Sequence, residues 1–407
     1  MKKLFKLIIY TILFSFIIIG CTPQNHTLPV EPNPDSGDVP PIGEPEEIDK
    51  IQEQIDNMTL EEKVGQLLIV GFEGTELSDI TGAYIEDLGV GGLIFFSRNI
   101  KSKDQVNTLV EEIKGSSNNI PLFLAIDEEG GKVSRMPQEY KKLPDSIDIG
   151  NTNDTDLAFE YGELLGNRVK SLGLNLNFAP VMDINSNPNN PVIGKRAFGT
   201  TPEIVSEMGL QVASGIRSTS VIPSIKHFPG HGDTSTDSHI ELPVIEKNVD
   251  ELKGFELKPF KAAIEEDIEM IMSAHILVPS IDEKYPATLS QKILGDLLRD
   301  EMGYDGVIIS DDMTMGAIVN NYTLEEASID FLKAGGDILL VCHGVENPRL
   351  VIDKILESIE TGELTEDEIN KKVYRILELK NRYLIEENIG IDIGDLNLKA
   401  EEIINNL

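Results

Sequence analysis

The chain reads VIPSIKHFPGHGDTSTDSH over residues 221–239, and this stretch shows how the whole fold is organised. Its first five residues, 221–225, form an apolar run that is typical of a buried strand. The next fourteen residues have neither helical nor strand periodicity, and they hold three of the six histidines, two aspartates, two glycines and a proline. The sequence therefore predicts a buried strand that leads into a polar loop, called here the His-rich loop (residues 226–239).

The same unit, an apolar run followed by polar residues, recurs along the chain from residue 48 onward. The predicted strands are Gln66–Phe72, Gly92–Phe96, Leu122–Ile126, Leu174–Ala179, Val221–Ile225, Ile268–Ala274, Gly306–Ile309 and Asp337–Val341. Amphipathic helical patterns lie between them, as in Leu157–Leu172, Pro202–Ser218, Val249–Ile264 and Leu324–Lys333. Continuously apolar strands that alternate with helices indicate a parallel sheet covered on both faces. Eight such units predict an α/β fold that is a single closed (β/α)8 TIM barrel rather than an open doubly wound sheet.

Polar side chains stand where six of the predicted strands end. They are Asp127, Asp183, Lys226 with His227, His275, Asp311 with Asp312, and His343. The active site of such a barrel lies at the carboxyl ends of its strands, so we expect these side chains to converge on one mouth. No Gly-x-Gly-x-x-Gly motif follows the first strand, which argues against a dinucleotide-binding domain.

The first residues of the chain have the features of an export signal. Lysines open the segment, an apolar run from Leu7 to Ile19 follows, and the run stops at Gly20-Cys21. This run is short for a membrane span, which needs about 20 residues. An aliphatic pair followed by Gly and Cys resembles the bacterial lipobox, so residues 1–20 are predicted to be a lipoprotein signal peptide and Cys21 to be lipidated. An ordinary secreted protein with a chance cysteine is the alternative.

The remaining domain boundaries follow from composition. Residues 21–47 are rich in proline and polar residues and cannot bury a core, so they are predicted to be a disordered tether. The barrel domain is expected over residues 48–385, with a C-terminal tail over residues 386–407. The only other cysteine, Cys342, lies in an apolar run and is expected to be a buried small residue.

The charge of the chain excludes some partners. The sequence has 70 acidic against 35 basic residues, a formal net charge of −35. Nucleic acid requires a basic face, so it is not an expected partner. Adsorption to anionic lipid is equally disfavoured, so a covalent lipid anchor is the expected membrane attachment. The predicted location is therefore extracytoplasmic, anchored by lipid to the bacterial cell membrane.

Two kinds of chemistry suit a ring of carboxylates, imidazoles, Lys226 and arginines. Glycoside cleavage needs a carboxylate against the anomeric carbon and a proton donor on the leaving oxygen. Metal-assisted hydrolysis would use ligands in and beside the His-rich loop. Those candidate ligands are His227, His231, Asp233, Asp237 and His239. A His-x-His at the first strand end is absent, and Lys226 would add positive charge to a cation site, so we expect neither a metal nor an organic cofactor.

Several motifs resemble one known family. They are MTLEEKVGQL (58–67), IDEEGG (126–131), NFAPVMD (177–183), the His-rich loop and SDDM (310–313), and they stand in this order. Together they are similar to the β-N-acetylglucosaminidase branch of glycoside hydrolase family 3, over about residues 50–345. The His-rich loop and the SDDM segment are long and specific, so chance similarity is remote.

The resemblance implies catalytic roles. Asp311, directly after the serine, would be the nucleophile that forms a covalent glycosyl-enzyme. Asp312 is the adjacent competitor, with a structural role, such as holding a following backbone amide, as its other reading. His239 would be the general acid/base, oriented by Asp237, and an imidazole suits this task because its pKa lies near neutrality. His231 is expected only to hydrogen-bond to the loop.

The resemblance also implies a set of sugar-binding residues. They are Asp127, Arg135, Arg196, Lys226 and His227, which would grip the hydroxyls of the terminal sugar through charged hydrogen bonds. Asp183 and His275 would be either supporting or purely structural groups at the barrel mouth. Tryptophan is absent, which fits removal of one terminal sugar better than a grip on an extended polymer.

The expected function is that of a lipid-anchored, retaining exo-β-N-acetylglucosaminidase. Its partners would be GlcNAc-containing glycans or muropeptides, from which it would remove terminal N-acetylglucosamine. An N-acetylglucosamine phosphorylase that uses the same site is one alternative, since a histidine acid/base repels phosphate less than a carboxylate. A non-catalytic sugar-binding lipoprotein is the other, although binding alone requires neither a nucleophile nor an acid.

Overall fold

The computed structural model describes residues 49–117, 120–238, 241–384 and 390–407. The predicted signal peptide, the lipidated Cys21 and the tether lie outside the described residues, and so does His239. In the described part of the chain, no helix is both long enough and apolar enough to cross a membrane.

Eight parallel strands form a closed barrel in which each strand pairs with the next along the chain. They are β1 (Leu68–Gly71), β2 (Gly92–Phe95), β3 (Phe123–Ile126), β4 (Leu176–Asn177), β5 (Ile222–Phe228), β6 (Met270–Ser273), β7 (Val307–Asp312) and β8 (Ile338–Val341). The barrel closes where β1 pairs with β8, with Leu68 opposite Leu339. The predicted (β/α)8 barrel is thus confirmed.

Helices connect the strands and cover the outside of the barrel. They are α1 (Lys50–Asn57), α2 (Leu60–Gln66), α3 (Asp79–Glu86), α4 (Lys103–Gly115), α5 (Ser146–Thr152), α6 (Thr155–Ser171), α7 (Pro202–Ser218), α8 (Val249–Gly254), α9 (Lys258–Glu265), α10 (Gly316–Val319), α11 (Leu324–Ala334), α12 (Asn347–Glu360), α13 (Glu366–Tyr383) and α14 (Ile393–Asn405). A π-helical segment, Lys292–Glu301, precedes β7, and short 3₁₀ turns lie at Ser97–Asn99, Gly194–Arg196 and Ala287–Leu289.

Local sequence explains where these elements begin. In the MTLEEK motif, the Thr59 hydroxyl accepts the Glu62 amide at 3.2 Å while the Glu62 carboxylate accepts the Thr59 amide at 2.8 Å. This capping box satisfies two backbone donors at the start of α2. Pro202 stands at the first position of α7, where its missing N–H has no intrahelical partner to lose.

Several elements have other bounds than predicted. Strand β7 runs to Asp312 rather than ending at Ile309. Strand β5 continues through Phe228, so Lys226 and His227 belong to the strand rather than to the loop after it. The helical pattern Val249–Ile264 divides into α8 and α9, because the chain leaves helical geometry at Phe255 with φ −140° and ψ −80°. Within the C-terminal tail, α14 buries Leu396, Ala400 and Ile403.

Candidate active site

The structure brings the predicted sugar-binding residues together at the carboxyl ends of the strands. Asp127 follows β3, and Arg196 comes from the loop after β4. Lys226 and His227 lie near the carboxyl end of β5. Arg135 lies on the loop after β3, with its guanidinium 3.9 Å from the Asp127 carboxylate. These side chains therefore share the mouth predicted for them.

A chain of ion pairs links these residues. Lys226 Nζ lies 2.8 Å from Asp127 Oδ1 and 2.7 Å from Glu129 Oε1. Arg196 reaches the same Glu129 with two parallel bonds, Nε to Oε2 and Nη2 to Oε1, both of 2.8 Å. Such a bidentate pair fixes the plane of the guanidinium. Glu129 thus sets the positions of the two cations.

Glu129 is the functional residue that the sequence reasoning missed. It lies within the IDEEGG motif, and two acidic neighbours compete for attention there. The structure separates them, because Glu128 is fully buried and pairs with Arg168 of α6 at 3.2 Å, away from the mouth. The sequence offered no signal to choose between them, because Glu128 and Glu129 are adjacent and both follow the strand-end Asp127.

The ion pairs form one network, whose members are Asp127, Glu129, Arg196 and Lys226. This network is charged despite its burial. Burial alone would raise the pKa of the Glu129 carboxyl, but Arg196 and Lys226 outweigh burial and hold that pKa well below its usual range. Burial would likewise lower the pKa of Lys226, yet Asp127 and Glu129 raise it. Fixed ionic donors and acceptors of this kind make strong, directional hydrogen bonds to vicinal hydroxyl groups.

Asp183 supports the imidazole at the end of β5. Its carboxylate lies 2.6 Å from His227 Nδ1 and also accepts the backbone amides of His227 and His231. Burial works to raise the pKa of Asp183, but His227 and these hydrogen bonds lower it. Asp183 therefore orients the His227 ring through these hydrogen bonds.

Asp311 lies near the end of β7 and is prepared as an anion. Its Oδ1 accepts the Asp312 amide at 2.8 Å. Burial tends to raise the pKa of Asp311, but the His275 and His227 imidazoles, the Asp312 amide and Lys226 together lower it. A carboxylate held ionised at the mouth of the barrel can act as a nucleophile toward an electrophilic carbon.

Asp312 and His275 have structural tasks. The Asp312 carboxylate accepts the Thr314 amide at 2.9 Å, the Thr314 hydroxyl at 2.7 Å and the Cys342 amide at 3.1 Å. His275 is fully buried between the Thr288 hydroxyl and the Asp312 carbonyl, each 2.9 Å from a ring nitrogen. Both residues thus fix the backbone around Asp311.

The His-rich loop is described up to Ser238. Asp237 is partly buried, and its carbonyl accepts the Glu241 amide at 3.1 Å. His231 is buried and hydrogen-bonds within the loop, as predicted. In the part of the chain that the structure describes, no group of three or more His, Cys, Asp or Glu side chains is placed to hold a metal ion.

An eight-stranded barrel whose mouth places an ionised carboxylate beside fixed charged donors is suited to glycoside cleavage. The family model "Glycosyl hydrolase family 3 N terminal domain" matches residues 59–379. The chain belongs to this family, and it is a glycoside hydrolase acting on O-glycosyl bonds.

Similar proteins support the same family. A β-hexosaminidase A of Pseudoalteromonas piscicida is 34% identical over 75% of this chain, which spans 55% of that relative. A β-hexosaminidase of Stenotrophomonas maltophilia is 34% identical over 72% of this chain and 87% of its own length. A solved family 3 β-N-acetylglucosaminidase from Paenibacillus sp. superposes with a TM-score of 0.83 at 38% identity, covering 86% of this chain and 69% of that one.

Proposed function

We propose that the protein is a retaining exo-β-N-acetylglucosaminidase in which Asp311 is the nucleophile and His239, oriented by Asp237, is the general acid/base. The observation that carries this proposal is the placement of Asp311. It lies at the end of β7 with its pKa lowered, at the same mouth as the ion-paired network of Asp127, Lys226, Glu129 and Arg196. The sugar, N-acetylglucosamine, is taken from the similar Paenibacillus structure, which is that of a β-N-acetylglucosaminidase.

The reaction proceeds in two displacements. In the first, an Asp311 oxygen forms a bond to the anomeric carbon while the bond from that carbon to the leaving oxygen breaks, and the His239 imidazolium gives its proton to that oxygen. In the second, water attacks the anomeric carbon, His239 takes a proton from the water, and the bond to Asp311 breaks. Two inversions leave the β-configuration unchanged.

The network holds the terminal sugar during both steps. Lys226 and Arg196 are donors with fixed positions, and Asp127 is an acceptor that faces Lys226 across 2.8 Å. Because these ion pairs exist before substrate arrives, the site does not have to reorganise as the sugar binds. The hydroxyls of one sugar would then be read by charged groups, which favours removal of a single terminal residue.

Activity on a chromogenic aryl β-N-acetylglucosaminide, compared with the matching β-glucoside, tests this proposal. We expect turnover of the first substrate with retention of configuration and little turnover of the second. Added phosphate separates hydrolysis from phosphorolysis, because a phosphorylase would release sugar 1-phosphate. Equal rates on both glycosides, or sugar 1-phosphate as the main product, would overturn the assignment.

The natural substrates we propose are peptidoglycan fragments that end in N-acetylglucosamine, met outside the cytoplasm by an enzyme anchored through Cys21. The support is the signal-like segment 1–20 with its Gly20-Cys21 end and the proline-rich tether in the sequence. Release of N-acetylglucosamine from purified muropeptides would test the substrate.

A further inference from the structure

Ser238 is held in place by two hydrogen bonds at the end of the described part of the His-rich loop. Its carbonyl accepts the Ala317 amide of α10 at 3.1 Å, and its hydroxyl lies 3.2 Å from His231 Nε2. The residue is buried, with 2% of its surface exposed. Since α10 follows β7, this contact ties the loop to the segment just beyond Asp311.

The His231 ring joins two points of the loop. Nδ1 lies 2.8 Å from the Thr234 hydroxyl, while Nε2 faces Ser238. Burial, followed by the neighbouring His227, lowers the pKa of His231 to about 4, so the ring is neutral near pH 7. A neutral imidazole has one N–H and one lone pair, so it donates to one of these hydroxyls and accepts from the other.

The backbone of His231 is fixed as well. The His231 amide donates to Asp183 Oδ1 at 2.5 Å, and its carbonyl accepts the Asn190 side-chain amide at 2.8 Å. The same Asp183 carboxylate also orients His227, one of the predicted sugar-binding residues. One buried carboxylate therefore connects the network to the loop, through His231 to Ser238.

We propose that His231 and Ser238 are positioning residues that set the placement of the neighbouring Asp237 through the His231–Ser238 hydrogen bond. The inference rests on the proposed function, because Asp237 belongs to the acid/base pair assigned there. Without the bond, the loop would keep its anchor at Asp183 and Asn190, but Asp237 would lose one of the contacts that fix the adjacent backbone. Misplacement by about 1 Å can cost on the order of 10²-fold in rate.

The variant Ser238→Ala tests this, because it removes one hydroxyl and leaves the backbone bond to Ala317 in place. Its matched control is Ser235→Ala, an exposed serine of the same loop. On glycosides with poor leaving groups we expect Ser238→Ala to lower kcat by about 10–10²-fold with KM nearly unchanged. Activated aryl glycosides should lose much less, since their departure needs little protonation. Ser235→Ala should match the wild-type enzyme on both.

Thermal unfolding of both variants shows whether they remain folded. A second variant, His231→Gln, keeps one donor and one acceptor and should therefore lose less activity than Ser238→Ala on glycosides with poor leaving groups. An equal loss on every substrate, or no loss in Ser238→Ala relative to Ser235→Ala, would overturn the positioning role. A wild-type enzyme that cleaves no β-N-acetylglucosaminide would instead overturn the proposed function.

Discussion

Asp311 and Asp312 are adjacent, but their carboxylates have different hydrogen-bond partners. Asp312 accepts three hydrogen bonds from Thr314 and Cys342, so its oxygens hold the backbone at the end of the barrel. Asp311 accepts one amide and is otherwise influenced by imidazoles and Lys226. A carboxylate committed to local backbone groups cannot also reach a substrate carbon, whereas Asp311 keeps lone pairs for that purpose.

Removal of Asp312 should therefore damage the fold rather than the chemistry. We expect Asp312→Ala to lower the free energy of unfolding by about 2–4 kcal/mol, because charge-assisted hydrogen bonds to two partly buried backbone amides are lost. Asp311→Ala should unfold near the wild-type temperature and abolish turnover. Chemical denaturation and activity of the two variants check this, and the reverse pattern would exchange the roles of the two residues.

The acid/base pair makes a distinct kinetic prediction. His239→Ala should lose about 10²–10⁴-fold on glycosides with poor leaving groups and far less on activated aryl glycosides, because only the former need a proton on the departing oxygen. Asp237→Asn should give a milder version, since the imidazole remains but is less basic and poorly oriented. Rates across a series of leaving-group pKa values measure this. A uniform loss in His239→Ala would make that residue a binding group.

At the residue scale, the sequence was informative where a motif and a strand end coincide. Asp127, Lys226 and Asp311 could be placed at one mouth because parallel strands end on the same side. Glu129 could not, because the pattern does not tell which of two adjacent glutamates turns inward. The roles of Asp183 and Asp312 also needed the structure, because hydrogen bonds to distant amides leave no trace in local sequence.

At the scale of elements, β8 is tied to two helical segments through one buried carboxylate. Asp337, at the start of β8, pairs with Arg299 of the π-helical segment and with Arg375 of α13, and it accepts the Ile308 amide of β7 at 2.8 Å. Burial would raise the pKa of Asp337, but Arg299, Arg375 and Lys372 lower it. The carboxylate joins strands and helices at the end of the barrel opposite the active site.

This arrangement predicts a pH dependence of stability. A carboxyl whose pKa is lower in the folded state stabilises the fold above its unfolded pKa of about 3.9, and this contribution is lost as the pH falls through the folded pKa. Asp337→Asn should lower the free energy of unfolding by about 3–5 kcal/mol at pH 7, and the difference from wild type should shrink below about pH 4.

Urea unfolding at pH 7 and at pH 3 measures that difference. The matched control is Asp367→Asn on α13, whose pair with Lys371 is exposed on both sides and should contribute almost nothing. If the free energies of unfolding of wild type and Asp337→Asn differed by the same amount at both pH values, ionisation of Asp337 would not stabilise the fold.

The strands were predictable as elements because each is a buried apolar run between polar segments. The division between α8 and α9 was not, because residues 249–264 keep an amphipathic pattern through the break at Phe255. The extension of β5 was also missed, since Lys226 and His227 are polar residues that the charged network and Asp183 allow to be buried within a strand.

At the scale of the whole molecule, the proposed lipid anchor determines where the enzyme is located and takes no part in catalysis. The barrel begins after the predicted tether, and every described residue of the site lies within it. Cys21→Ser should therefore move the protein from the membrane fraction to the soluble fraction, or stall its processing, without changing kcat. Cell fractionation followed by an activity assay checks this. If the variant stayed in the membrane fraction as fully as the wild-type protein, Cys21 would not be the site of a lipid anchor.

The most direct test of the central claim is covalent trapping of the nucleophile. A 2-fluoro glycoside or a similar trapping substrate slows the second displacement, so the glycosyl-enzyme accumulates and can be located by peptide mass spectrometry. We predict a single label on Asp311, with no label in Asp311→Ala and normal labelling in Asp237→Asn when the leaving group is activated. A label on Asp312, or inactivation without any covalent adduct, would contradict the account.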